Sequence, residues 1–541
     1  MKRGVPIVRS TGRTLCRADS SRRGGMKRRW LLLTYALVNA ALYSMLLPLW
    51  EGFDEPLHFG YVQYLANGNG FPDPRTSVLS KEVGASLLLA PASPSVQRNL
   101  PAVTSYSEFF GWPEWKRLLT HQRLSQIDPG LRWQPSDLLD YEALQAPLAY
   151  AILALPERAL AKTPLPLRVM LLRIMAGTLG GLLLFLGAER LLRQLDVPGE
   201  YQEIAIFCAF SSQMIWATLA HVANDWLAVP LTLWLLVAVI QYDDGLSVRR
   251  ALLASGVLAM GLLTKAYFIA LIPLPIAVCI LRRRWRDLGM TVVLVSALAG
   301  PWYIRNLERY GVISGMQELR QGTDPMLALQ AVQAAKVPAA LDSYARGALW
   351  TANNSFRSFS IKTLRSVLVT WLAALVLWAV TRHRRAEWMV VLFSGLFVLA
   401  LAYDAGINYV ASHHESASPG AWYVQVLLVP LLALGLLGAS RSGKIGKAAA
   451  ILVALLFGYI LVATYWVKLM PLYGGFTGRT SLTSVTILYR DRLPNLMVGL
   501  NEVCLAPATV ILCMASIVTI LAVAQQVISI RRLFVEQTQN S

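Results

Sequence analysis

The chain has 541 residues, of which 55% are hydrophobic and only 15% charged, and its net charge is +19. A soluble protein of that length divides into several domains and carries about 25% charge, so a soluble multidomain enzyme is excluded. The basic excess sits in arginine clusters between apolar runs, which is the positive-inside pattern of a membrane protein rather than a nucleic-acid-binding face, and no nucleic-acid partner is expected.

The first 25 residues are rich in Arg and Ser and hold no apolar run. Residues 1–29 therefore read as a basic, disordered cytoplasmic tail, with Met26 opening a conventional basic membrane-protein start. The run from Leu31 to Trp50 is too long for a signal peptide and lacks its small-residue cleavage pattern, so it reads as a retained helix. Further apolar runs lie near 168–189, 202–220, 226–242, 249–264, 267–281, 286–304, 363–381, 388–404, 421–440, 448–467 and 504–526. Each is about as long as a bilayer core is thick, ~20 helical residues. No strand-like alternation repeats often enough for an outer-membrane barrel.

The fold class expected is all-α: one polytopic domain over 30–530 with about 12–13 transmembrane helices, followed by a cytoplasmic tail at 531–541. The stretch 143–160 is apolar but short, holds two prolines, and reads either as an interfacial helix or as a further crossing. Basic clusters at Arg190–Arg193, Arg249–Arg250, Arg282–Arg286, Arg382–Arg385, Arg441–Lys447 and Arg531–Arg532 mark the cytoplasmic loops of a plasma (inner) membrane protein. Both termini then face the cytoplasm, and 51–142, 305–362 and 468–503 lie outside. The first of these outer loops mixes Phe109, Phe110, Trp112, Trp115 and Trp133 with charges, which suits helices lying at the lipid interface.

The polar chemistry falls in the outward segments. Glu51-Gly-Phe-Asp-Glu-Pro-Leu-His-Phe-Gly-Tyr61 follows the first helix directly, and Pro56 suits the first turn of a new one. His58 then stands one turn from Asp54 and Glu55. A carboxylate there can take a proton from an acceptor hydroxyl, or it can cap the helix; the residues alone weigh the two equally. Tyr141-Glu-Ala-Leu-Gln-Ala-Pro-Leu-Ala-Tyr150 brings Glu142 and Gln145 to the same surface. Asn224-Asp225 turns an outward hairpin, Lys265 ends a helix, and Arg305 stands beside Trp302 at the interface. Lysine and arginine at that depth either anchor the helix or grip a phosphate. Tyr403-Asp404 and His413-His414-Glu415 complete the set. The adjacent histidines do not make a metal site, and the five cysteines have no ligand spacing. Gly438-Ala-Ser-Arg-Ser-Gly-Lys444 has P-loop spacing, but Ile445 stands where Ser or Thr is required and no strand precedes it.

In their order along the chain these segments resemble the GT-C superfamily, the multi-spanning glycosyltransferases that use polyprenyl-phosphate-linked sugars. Phe-Asp-Glu-Pro-Leu-His-Phe-Gly at 53–60 is similar to the acidic segment of protein O-mannosyltransferases. Gln-Ala-Pro-Leu-Ala-Tyr at 145–150 resembles the Pro-Pro-Leu-Tyr-Tyr segment of bacterial members, with Ala146 in place of the first proline. Ala421-Trp422-Tyr423 stands where Arg-Tyr often opens a late helix.

The resemblance implies a GT-C-like fold and a transferase that takes its sugar from a lipid-linked donor at the extracytoplasmic face. Asp54 is then the general base, with Glu55 and His58 orienting it. Lys265 and Arg305 become donor-phosphate ligands, and Glu142, Gln145, Asp225, Tyr403 and His414 line the cavity. The polyprenyl-phosphate-linked sugar is the donor substrate, and a requirement for a divalent metal is left open. The acceptor is a glycan, lipid or protein of the cell envelope. The rival readings are a secondary transporter and a non-catalytic partner in envelope polysaccharide assembly.

Overall fold

A computed structural model describes residues 12–93, 103–313, 324–334, 336–349, 359–411, 413, 421–476 and 482–535. Among these, strands occur only at Val78–Ser80 and Pro135–Leu139, paired antiparallel; almost everything else is helix. Seven helices are long and apolar enough to cross a membrane: Leu165–Gln194, Asp225–Gly245, Trp285–Tyr310, Ile361–Ala379, Arg385–Val410, Gly443–Tyr473 and Ala508–Phe534. Two shorter apolar helices lie at Ala266–Leu281 and Gln425–Arg441. The chain is an all-α polytopic membrane protein.

Several expected helices are interrupted, for local reasons. The run near 202–220 forms Gly199–Ser211 and Gln213–Leu219, parted by extended backbone at Ser212. The run near 267–281 opens as a 3-10 turn, Ala266–Leu271, and restarts as Pro273–Leu281, because Pro273 has no amide hydrogen to continue the ladder. The ambiguous stretch 143–160 becomes a 3-10 turn at Tyr141–Leu144 and a helix at Leu148–Ala159. Twelve residues rise ~18 Å, well short of a ~30 Å hydrocarbon core, so this helix does not cross. It lies against Glu55–Ala66 and the first turns of Leu165–Gln194.

Two boundaries move. The tail expected to be disordered is helical from Gly12, continuous with the first apolar run through Leu46. Arg28 and Arg29 hold its lower part through Glu203 at 2.9 Å and Glu189 at 2.8 Å. The outer segment expected from 468 begins later, because a π-helical turn at Thr464–Leu469 carries the preceding span on to Tyr473.

Asp225–Gly245 buries 89% of its apolar window inside the protein, whereas Trp285–Tyr310 buries 22%. The first is therefore a central helix and the second a rim helix with its apolar face towards lipid. The central helix packs on Leu165–Gln194 so closely that a Cβ at Gly180 would lie 2.5 Å from the Trp226 carbonyl oxygen.

The long segment after the first helix is folded, with helices at Lys81–Leu89, Tyr106–Gly111 and Glu114–Ser125. Fully buried Arg168, near the start of Leu165–Gln194, pairs with both Glu82 and Glu157, and Arg132 stands 3.2 Å from Glu157. The segment is thus pinned over the ends of the spanning helices by charges that have no access to water.

Candidate functional site

The Glu51–Tyr61 motif folds as a tight turn entering the helix Glu55–Ala66, with Pro56 in its first turn. Trp50 and Asp54 both adopt positive φ, 66° and 50°. Aspartate tolerates that left-handed conformation better than most side chains, at a cost of roughly 1–2 kcal/mol. The turn aims the Asp54 carboxylate away from the helix amides, and it makes no side-chain cap. The capping role that the sequence left open is not the one adopted.

The three acids of the motif do different things. Glu51 is fully buried and accepts from the Ser93 amide at 2.9 Å and the Tyr473 hydroxyl at 3.3 Å. Glu55 is fully buried against Arg173 and also accepts from the Val222 amide at 2.9 Å. Arg173 in turn donates to the carbonyls of Leu47 and Pro48, at 2.6 and 2.9 Å. Burial would raise the Glu55 carboxyl, but Arg173 beside it overrides this and holds it below the ordinary range. Glu55 therefore locks the turn to its neighbours. Asp54 is only half-buried, and its Oδ1 accepts the Tyr141 hydroxyl at 2.5 Å.

The second segment closes on the first. His58 Nδ1 is 2.8 Å from the Tyr150 hydroxyl and 3.7 Å from Glu142 Oε2. Burial pushes His58 down to about 4, so it is neutral near pH 7 and its approach to Glu142 is not an ion pair. Gln145 donates to Glu142 at 2.8 Å and accepts from Asn224 at 2.9 Å. Asn224 also reaches the Thr264 carbonyl, at 3.2 Å. Lys265 is buried, 2.6 Å from Asp225, with its ammonium 4.9 Å from the centre of the Tyr423 ring. The Tyr423 phenol is held well above its ordinary value by burial and by the carboxylates of Asp404, Asp225, Glu142 and Asp54. Asp225 opens a helix, Glu142 and Asp54 lie in turns and Asp404 lies within Arg385–Ala411, yet all four charges are felt at one phenol. His221, also pushed down to about 4 by burial, stands behind the turn, and neither of its ring nitrogens has a hydrogen-bond partner.

Asp54, Glu55, His58, Glu142, Gln145, Asp225 and Lys265 thus converge. Arg305 stands apart on the rim helix. It is stacked 4.9 Å from Trp302 and donates to the Pro72 carbonyl at 3.2 Å. Tyr61, stacked 4.3 Å from Tyr150, separates it from His58 while still sensing its charge. Tyr403 lies on Arg385–Ala411, one residue from Asp404. His414 lies outside the described residues.

ArnT from Cupriavidus metallidurans, solved bound to undecaprenyl phosphate, is similar to this chain. The TM-score is 0.39 and the identity 13%, over 82% of this chain and 75% of that one. No family model matches the chain, and no curated protein matches it. A likeness that distant assigns no chemistry, which the side chains of this protein must supply.

Tyr141, Tyr150, Arg173 and Tyr423 take part in the site but escape the sequence reading. The first two are the ends of the 141–150 segment, from which the sequence places only Glu142 and Gln145 at the site. Arg173 carries a readable signal, since an arginine inside a long apolar run is costly and needs a buried partner. Tyr423 is marked in the sequence only by the 421–423 segment, and that its ring meets Lys265 is decided by the packing of distant helices.

Proposed function

We propose that the chain is a membrane glycosyltransferase that moves a sugar from a polyprenyl-phosphate carrier to an acceptor at the extracytoplasmic face. The observation that carries this reading is the partly exposed Asp54 carboxylate, which accepts the Tyr141 hydroxyl near further acids and a buried lysine. Asp54 removes the proton from an acceptor hydroxyl, whose oxygen attacks the anomeric carbon. The bond from that carbon to the phosphate oxygen breaks, and its electron pair leaves on the lipid phosphate. Lys265 is placed to meet that charge by sharing itself between Asp225 and the leaving group. Arg305, with Arg75 and Arg309 near Tyr310, offers a second cationic patch at the rim for the incoming carrier.

The test is purified protein in detergent with a lipid-linked sugar donor and a crude envelope acceptor fraction. Free lipid phosphate is the product to follow. Lys265→Met and Arg305→Gln should raise the donor KM at least ten-fold, the equivalent of about one charge-assisted contact, with the acceptor KM nearly unchanged. Turnover with a nucleotide sugar, or the absence of lipid-phosphate release alongside solute flux in sealed vesicles, counts against the reading.

One observation favours a transporter instead. At the break between Ser211 and Gln213, Tyr35, Asn39 and Trp216 all donate to the Phe210 carbonyl, at 3.3, 3.0 and 3.0 Å. Broken helices with polar groups at mid-membrane are a transporter feature. Here, however, the groups at the break are neutral and bonded to protein, and the arginine buried inside a span, Arg173, is spent on Glu55 and two carbonyls.

The orientation is tested separately. In a cysteine-free background, Ser107→Cys and Ser484→Cys should react with an impermeant thiol reagent on intact cells. Ser442→Cys should react only after permeabilisation. The reverse pattern would put the acid cluster in the cytoplasm.

A further inference from the structure

Behind the Asp54 turn lies a separate cavity of about 180 Å³. Its walls come from the ends of three long helices: Pro48 just past Gly12–Leu46, Leu167 in the first turns of Leu165–Gln194, and Leu505 just before Ala508–Phe534. Leu124 of the Glu114–Ser125 helix covers it from outside. Where spanning helices end, acyl chains give way to head groups, so a lipid is the molecule at hand. The space exceeds an apolar cavity of about 150 Å³, which accepts a benzene-sized ligand.

One wall is charged. Glu502 is 4% exposed and lines the cavity. Its Oε2 accepts from Arg117 Nε at 2.8 Å, while its Oε1 is buried with no hydrogen-bond partner. Leaving a buried carboxylate oxygen unmet is costly, and a ligand that donates to it removes the cost. Arg117 itself is held by the Trp112 carbonyl, at 2.7 Å from Nη1, and so fixes the Glu502 carboxylate from outside the cavity lining. Glu502 thus brings an unmet anionic oxygen to the wall of an apolar slot.

We propose that this cavity binds an aminophospholipid, with its ammonium on Glu502 Oε1 and the start of an acyl chain between Leu124, Leu167 and Leu505. An ammonium suits the buried oxygen better than a hydroxyl, because a charge-assisted hydrogen bond is about twice as strong as a neutral one. The site shares no ligand-facing residue with the acid cluster and stands whether or not that cluster transfers sugar.

The test uses the full chain in detergent, equilibrated with equal amounts of ethanolamine-, choline- and glycerol-headgroup phospholipids. The retained lipid is then counted by native mass spectrometry. The ethanolamine lipid should be enriched on the order of ten-fold over the choline lipid, which has no N–H to donate. Glu502→Gln should bring the ratio close to one. Leu124→Trp, which fills the slot and leaves Glu502 in place, should abolish retention while the helical signal and melting stay intact. It decides the matter if Glu502→Gln fails to fold. Equal retention of all three lipids, glycerol lipid held as well as ethanolamine lipid, or enrichment unchanged in Leu124→Trp would each overturn the site.

Discussion

Asp54→Asn should leave the protein expressed, inserted and folded, and should lower turnover by roughly 10²–10⁴-fold, the range general-base catalysis supplies. The substitution keeps the size of the side chain and an oxygen for the Tyr141 hydroxyl, which lies 2.5 Å from Oδ1. Asparagine also tolerates the left-handed backbone held here at φ 50°. What it loses is the capacity to accept a proton. Because the native side chain makes no cap to the Glu55–Ala66 helix, no capping energy is at stake. The measurement is lipid-phosphate release beside a melting curve. An Asp54→Asn protein that melts early but turns over at the parent rate would show that the carboxylate serves the fold and not the chemistry. Tyr141→Phe should have a smaller effect on rate and should shift its pH dependence, since a hydrogen bond donated to a carboxylate favours its charged form.

Arg173→Met should be strongly destabilising, at about 3–5 kcal/mol, the cost of leaving one member of a buried ion pair alone. Arg173 and Glu55 both have fully buried side chains. Arg173 also ties the carbonyls of Leu47 and Pro48, and Glu55 the amide of Val222. Its loss therefore strands a carboxylate and frees two backbone carbonyls just before the turn that carries Asp54. The double variant Arg173→Met with Glu55→Gln should regain a good part of the loss, because no buried charge then stays unpaired. Thermal melts of the parent, both single variants and the double variant give the coupling between the two residues. A single Arg173→Met protein that melts with the parent would mean the pair contributes nothing to holding the turn.

The membrane character was legible because it depends on composition and period alone. A run of about 20 apolar residues has one inexpensive solution in a bilayer, a helix that satisfies its own backbone. The interruptions were less legible. Ser212 breaks a helix although nothing in its local sequence forbids one, whereas Pro273 breaks one for a reason plain in the sequence. The 148–159 helix was ambiguous in sequence because apolar character does not distinguish a surface that faces lipid from one that faces protein.

The sequence by itself determined that acids, a histidine and basic residues cluster at the ends of apolar runs, because the order of polar and apolar segments sets which side chains reach the membrane surface together. It did not determine which carboxylate works and which one holds the fold. Asp54 and Glu55 are adjacent and chemically alike. Only the tertiary structure gives Glu55 to an arginine 118 positions away and turns Asp54 towards a phenol 87 positions away. Likewise Lys265 and Tyr423 meet only because their helices pack. The role of an ionisable group is decided by its partner and its access to water, and both are properties of packing between distant segments that no local pattern encodes.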